Sequence, residues 1–343
     1  MSQQPVPSAR RGSRIDRNLA LDAVRVTEAA ALAASRCMGR GDEMAADQAA
    51  ITAAWAALEN MPIDGVVVIG EGERDVASRL FVGEPVGTGD GPKIDIAIDA
   101  LEGNTITAKG AANALSFLAM AEFGGFLKVP PVYMDKIIVG SGLPEDVVDL
   151  DEAPVTNLRN LARALGSEVD DLVVCILDRP RHEELIARVR EAGARIVLIA
   201  DGDVAGGIAV CEPASGVDMY LGRGGASEGV LAAAALCCAG GQMQGRLLFR
   251  NDAERDLARK QGITDLDRKY SQNELARGNL MVAATGVTDS AMLRGVRRSQ
   301  GRAVTQSIVM RSRSGTIRHV EARHDLTHKE APGPRGTGGP RGE

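Results

Sequence analysis

The chain has 343 residues, 44% hydrophobic and 25% charged, with a formal net charge of -6, enough to bury a large core as one domain or two lobes. The acidic balance and the 3% of aromatic residues argue against a nucleic-acid surface, which needs a basic stripe and stacking rings. No run nears the roughly 20 apolar residues of a membrane span. Cys37, Cys175, Cys211, Cys237 and Cys238 include no CxxC and read as small core residues of a reducing compartment. Nucleic acid and membrane are thus excluded as partners, and a cytoplasmic protein is expected.

Residues 1–17 carry Arg10, Arg11, Arg14 and Arg17 but no apolar h-region, and read as a disordered basic tail. The Ala-rich stretch from Asn18 to about Met38 has helical spacing and stops at Gly39. Asp42 suits the cap of a second helix to about Asn60. There Asp47, among small alanines, is either solvated or aimed into a site. Gly65–Ile69 reads as a buried strand running into the acidic turn Gly70-Glu71-Gly72-Glu73-Arg74-Asp75. In Lys93–Asp99, Ile94, Ile96 and Ile98 alternate with Asp95, Ala97 and Asp99, which predicts a strand with one apolar face. Asp99 and Glu102 then flank a turn closed by Gly103.

Ala108 to Phe123 reads as a helix, and an antiparallel region comes next, through Ile137–Val139. The acidic break Leu143–Pro154 suggests a division into an N-terminal metal-binding lobe, 18–150, and a C-terminal substrate-binding lobe, 151–325. Helix 157–165, strand 172–177, helix 183–192 and strand 196–200 make a βαβ unit with parallel pairing. Val217–Leu221 is a further strand, and Gly222–Gly229 opens an apolar helix over Val230–Ala239. Asp252–Gln261 is a charged helix. Val304–Val309 and Thr316–Val320 pair across Ser314-Gly315. Residues 326–343, dominated by Pro and Gly from Ala331, read as a disordered tail. His319, His324 and His328 share no ligand spacing and read as surface residues, and His182 is assigned no role.

Several strands thus end in polar, Gly-containing turns of two chemical sorts. Glu71, Asp99, Glu102 and Glu228 are acidic, and crowded carboxylates call for a hard cation. Arg179 and Arg181 are basic, and guanidiniums grip phosphate through paired hydrogen bonds. Both kinds together suggest metal-dependent phosphoryl chemistry. Alone, the arginines serve equally as surface partners of Glu183 and Glu184, and Tyr133 as a core aromatic.

In order along the chain, Gly39-Arg-Gly-Asp42, Val68-Ile-Gly-Glu71-Gly-Glu73, Val86-Gly-Thr-Gly89, Asp95-Ile-Ala-Ile-Asp99, Glu102-Gly103, Tyr133-Met-Asp-Lys136, Arg179-Pro-Arg-His182, Asp201-Gly-Asp-Val204, Gly224-Gly225, Glu228-Gly229 and Ala284-Thr-Gly-Val287 form one register. From about Val24 to Ile317 the chain resembles the class II fructose-1,6-bisphosphatases, of the wider lithium-sensitive sugar and inositol phosphatase group. The resemblance implies an α/β protein with a layered α/β/α/β sugar-phosphatase fold, mixed sheets and two lobes. It also implies a two-metal site for Mn²⁺ or Mg²⁺, a small-molecule sugar bisphosphate as substrate, and a homodimer or homotetramer. The implied reaction removes the 1-phosphate of fructose 1,6-bisphosphate, as in gluconeogenesis. Asp47 and Glu71 match the ligands of one metal, and Asp99, Glu102 and Glu228 those of the other. Glu102, Gly103, Asn104, Tyr133, Arg179, Pro180, Arg181, Asp201, Gly202, Asp203 and Gly225 match the substrate pocket. Glu71 and Asn104 stand at catalytic positions, with Thr105 adjacent.

The chain departs from the family pattern Asp-Pro-x-Glu-Gly-Thr, reading Asp99-Ala100-Leu101-Glu102-Gly103-Asn104. Ala100 does not fix φ as proline does. Asn104 replaces a threonine whose hydroxyl, by the resemblance, orients and deprotonates the attacking water. An amide accepts hydrogen bonds but relays no proton, a loss of roughly 10²–10⁴-fold in general acid–base catalysis. Thr105 is the neighbouring hydroxyl that can substitute. Glu43 stands where relatives carry Lys, and Ser227 where they carry Pro. The alternatives are a sedoheptulose-1,7-bisphosphate or inositol phosphatase, and a non-catalytic paralogue that binds metal and sugar phosphate.

Overall fold

Alternation in the strands and all-round hydrophobicity in one helix decide how this chain layers itself. The computed structural model describes residues 19–72 and 78–329. The basic tail 1–17, residues 73–77 of the acidic turn and the Pro/Gly segment from 330 lie outside the described residues. Helices α1 (Leu19–Ala34) and α2 (Glu43–Leu58) come first, the latter capped by the Asp42 carboxylate accepting from Ala45 N at 2.9 Å. Then come β1 (Asp64–Ile69), β2 (Pro85–Val86), β3 (Lys93–Glu102), the short α3 (Asn104–Lys109) and β4 (Leu115–Glu122).

The stretch expected as a helix over Ala108–Phe123 is therefore mostly strand β4. Leu115 to Ala121 is buried throughout, and so apolar a run satisfies a strand covered on both faces as well as a buried helix. Gly110, with φ 69°, closes α3, and β4 pairs antiparallel with β3. Nor is β3 a one-faced strand: Asp95 is 2% exposed, Ala97 is buried, and Ile94, Ile96 and Ile98 are buried on the opposite side.

The chain next enters a second sheet with β5 (Tyr133–Val139). It continues through α4 (Pro154–Leu165), β6 (Val173–Leu177), α5 (Glu183–Glu191), β7 (Arg195–Ile199), α6 (Asp203–Ala209) and β8 (Met219–Gly225). After α7 (Ala226–Ala239) come β9 (Gln242–Leu248), α8 (Asp252–Lys260), β10 (Lys269–Ser271) and α9 (Gln272–Leu275). The strand order is β10-β9-β5-β8-β6-β7, with β6 and β7 parallel as the βαβ pattern requires. Finally β11 (Met281–Gly286), β12 (Arg297–Ser299), β13 (Arg302–Arg311) and β14 (Thr316–Asp325) return to the first sheet. Its order is β12-β13-β11-β4-β3-β1-β2, with β14 paired to β13. The division expected between 150 and 151 does not coincide with the change of sheet. Tyr133 already belongs to the second sheet, and Met281–Asp325 belong to the first.

Three cores separate the layers. Ile94, Ile96, Ile98, Leu118 and Met120 meet α1 and α2 on one face of the first sheet. Phe117, Ala119 and Ala121 on its other face meet α7, which also meets Met134, Ile138 and Tyr220 of the second sheet. Ile137, Val139, Val174 and Ile176 turn away toward α4 and α5. Helix α7 is apolar on nearly all sides and sits between two sheets, the only surroundings that bury it fully. The layering is α/β/α/β/α, one helical layer more than expected, because α4 and α5 cover the far face of the second sheet.

All five cysteines carry free thiols. His324 is buried and bonded to Thr305 Oγ1 at 2.8 Å, so it is a structural residue and not the surface one expected. Leu326–Lys329, expected in the tail, form the one-turn α10, where Asp325 accepts from Thr327 N at 3.0 Å. Among the described residues no helix is long and apolar enough to cross a membrane.

Candidate active site

β1 and β3 lie side by side and parallel, so their C-terminal ends deliver Glu71 and the Asp99–Glu102 segment to the same end of the first sheet. In a regular strand residues three apart point to opposite faces. The register of β3 against β4 shifts between Asp99 and Glu102, and both carboxylates consequently line one cleft. The backbone then turns through Gly103 at φ 96°. A Cβ there would lie 2.6 Å from Ile106 Cδ1, so both conformation and space demand glycine. From the second sheet, the end of β6 supplies Arg179 and Arg181, the end of β7 supplies Asp201, and the β8–α7 junction supplies Gly225, Ser227 and Glu228.

The resulting cleft has a volume of about 500 Å³. Asp47, Glu71, Asp99, Glu102 and Glu228 line it as its acidic wall, and Arg179 and Arg181 line the same cleft. Gly103, Asn104, Thr105, Asp201, Asp203 and Gly225 also line it. Tyr133, Pro180 and Gly202 do not. Tyr133 is 40% exposed and lies under Arg181, whose guanidinium carbon is 5.0 Å from the ring centre. Pro180 shapes the 3₁₀ turn between the two arginines, and Gly202 caps α6 at φ 94°.

Burial and mutual repulsion dominate the electrostatics of the acidic wall. Burial raises the Glu71 carboxyl to about 7, opposed by a 2.9 Å hydrogen bond from Ala100 N and reinforced by Asp47 and Glu228. Asp99 is pushed well up by burial and then by Glu71, Glu102, Glu228 and Asp47. Glu102 is also pushed well up by burial, although Val204 N and Ala205 N (3.2 Å) donate to its two oxygens. Burial raises Asp47, and a hydrogen bond with the Asn104 side chain pulls it back.

On the basic side, Arg181 donates from Nε and Nη2 to the Arg223 carbonyl at 3.1 and 2.9 Å. Buried His182 fixes that arrangement: its Nδ1 lies 2.8 Å from Leu177 O, and its Nε2 accepts from Arg223 N at 2.8 Å. Arg179 reaches within 3.9 Å of the Asp201 carboxylate. Neither arginine pairs with Glu183 or Glu184; Glu184 is held by Arg188.

Several residues acquire a place that spacing did not signal. Glu43 accepts a hydrogen bond from Thr105 Oγ1 at 2.9 Å, so the residue that stands where relatives carry Lys holds the hydroxyl next to Asn104. Asn104 Oδ1 is buried without a hydrogen-bond partner among the described residues, as is Glu228 Oε2. Asp203 turns its carboxylate inward to the Lys136 ammonium and the Tyr220 hydroxyl. Among the described residues no three acidic, His or Cys side chains stand close enough together to hold one metal ion as placed. The fit to a divalent cation rests on charge: five carboxylates on one wall, three raised by their like-charged neighbours as well as by burial, and orphaned oxygens on two residues. Oxygen-rich, multiply anionic walls are what hard cations bind.

Five carboxylates and two arginines gathered in one cleft at the strand ends are the equipment of a metal-dependent phosphoric monoester hydrolase. The model for bacterial fructose-1,6-bisphosphatase, glpX-encoded, matches residues 17–324. Similar proteins include fructose-1,6-bisphosphatase 1 class 2 of Escherichia coli K12 and fructose-1,6-bisphosphatase class 2 of Shigella flexneri. Each is 43% identical over 334 residues, covering 92% of this chain and 97% of the relative. The chain belongs to the bacterial class II fructose-1,6-bisphosphatase family.

Proposed function

We propose that this chain hydrolyses the 1-phosphate of fructose 1,6-bisphosphate, giving fructose 6-phosphate and phosphate in gluconeogenesis. The observation that carries this reading is the apposition, in one cleft, of five carboxylates and the Arg179–Arg181 pair. Asp47, Glu71, Asp99, Glu102 and Glu228 are the residues to hold Mn²⁺ or Mg²⁺. Bound there, the cation polarises the phosphoryl group and offsets charge developing on its oxygens. Arg181, braced by the Arg223 carbonyl and Tyr133, suits the phosphate that does not react, with Arg179 beside it. Gly103 and Asn104, which line the same cleft, suit the reacting end of the sugar. The family resemblance also favours placement in the lithium-sensitive sugar and inositol phosphatase group. Phosphate release from fructose 1,6-bisphosphate by purified protein, with Mn²⁺ and with chelator, tests the reading. Release that the chelator abolishes is expected, and no release above the blank refutes it. Parallel kcat/KM values for sedoheptulose 1,7-bisphosphate and an inositol phosphate separate the substrate classes.

A second reading has its own observation. The family hydroxyl is missing at Asn104, whose side chain is engaged with Asp47, and the hydroxyl of Thr105 is committed to Glu43. A binding protein without turnover has such a cleft. It would show thermal stabilisation by the sugar bisphosphate with no phosphate released.

A further inference from the structure

Lys136, on β5, is 1% exposed. Taking an ammonium out of water is costly unless it is paired and hydrogen-bonded, so its partners are significant. Lys136 Nζ donates to the Asp203 carboxylate and, at 3.0 Å, to the Gly225 carbonyl. The other Asp203 oxygen takes the Tyr220 hydroxyl. Asp203 is the first residue of α6, and Gly225 caps α7.

Each of these two anchors leads into part of the acidic wall. Directly after Asp203, the amides of Val204 and Ala205 hold both oxygens of Glu102. Three residues after Gly225 stands Glu228, so close that a Cβ on Gly225 would lie 1.9 Å from Glu228 Oε2. One buried ammonium thus ties together the starts of the two helices that place Glu102 and Glu228. We propose that Lys136 is a positioning residue that, through Asp203 and Gly225, sets the placement of Glu102 and Glu228 for cation binding. This rests on the phosphatase reading for the use of the cation, but not for its affinity.

A residue that only neutralised Asp203 would be dispensable once that charge was also removed. A positioning residue would not. The test compares wild type, Lys136→Met, the double variant Lys136→Met/Asp203→Asn, and Tyr220→Phe. It reads Mn²⁺ affinity by calorimetry on full-length protein without substrate, with melting temperature as the control for folding. Both Lys136 variants are expected to bind Mn²⁺ about tenfold or more weakly, the scale of losing an outer support of a metal ligand. The double variant is expected to melt within about 4 °C of wild type. Tyr220→Phe, which removes one anchor of Asp203 at little change in volume but leaves Lys136 in place, is expected to weaken Mn²⁺ binding measurably and by less than the Lys136 variants do. Wild-type Mn²⁺ affinity in a folded double variant overturns the proposal. If the double variant does not fold, wild-type affinity in Tyr220→Phe overturns it, and so does a wild-type chain that binds no Mn²⁺. Turnover by the wild type is measured separately, so failure of the phosphatase reading is distinguishable from failure of this one.

Discussion

The stability of the metal-free protein should fall as pH rises through neutrality, and Glu71 sets the scale. Its carboxyl titrates at 4.5 when unperturbed and at about 7 in the folded chain, chiefly through burial. Between those values the folded state holds a proton that the unfolded state has released, so the slope of stability against pH is negative. The contribution is fully present below about pH 4.5 and is lost as pH passes about 7, on the order of 3 kcal/mol for this one group. Asp99 and Glu102, raised for related reasons, add to it with the same sign. Urea denaturation in chelator at about pH 5 and about pH 8, on wild type and Glu71→Gln, measures the effect. The variant, which has no proton to lose at that position, should show a shallower fall. Mn²⁺ should reverse the trend, since ligands must shed protons to bind metal and binding strengthens as pH rises. Equal or greater metal-free stability at the higher pH, or an identical fall in Glu71→Gln, would refute the reasoning.

Restoring the family hydroxyl by Asn104→Thr should raise phosphate release at saturating Mn²⁺ tenfold or more, about 1.4 kcal/mol of barrier; an unchanged rate removes Asn104 as the weak part. Arg181→Ala should raise KM for the sugar bisphosphate about thirtyfold, the loss of roughly 2 kcal/mol from a charge-assisted hydrogen bond, and steady-state kinetics read this directly. Phe117, with no exposed surface between the first sheet and α7, should cost about 3–5 kcal/mol as Phe117→Ala, visible as a lowered urea midpoint with cleft residues untouched.

Local signals were legible where a short stretch decides its own structure. Asp42 caps α2 because a carboxylate that accepts the orphan amide of Ala45 needs no distant partner. The β6-α5-β7 unit arises from adjacent runs of clear period. The acidic turn of Asp99–Glu102 and the arginine turn after β6 were visible as residue types at strand ends, and the cleft does unite them. β4 was not legible as a strand, because its apolar run fits two structures until β3 and β11 flank it. The return of β11–β14 to the first sheet was equally hidden, since sheet membership is a choice among distant partners and no local pattern encodes it.

Side-chain commitments divide the same way. Composition and order alone determined that carboxylates and guanidiniums stand at the strand ends; they left open whether each is solvated, paired on the surface or turned into a cleft. That Thr105 gives its hydroxyl to Glu43, 62 residues away in sequence, was decided only when α2 and α3 met. That Asp203 spends its carboxylate on Lys136 and Tyr220 was likewise settled by the packing of β5, α6 and β8. A sequence specifies which groups are available; the tertiary fold decides which are desolvated together, and buried charges bind whatever partner the fold leaves within reach.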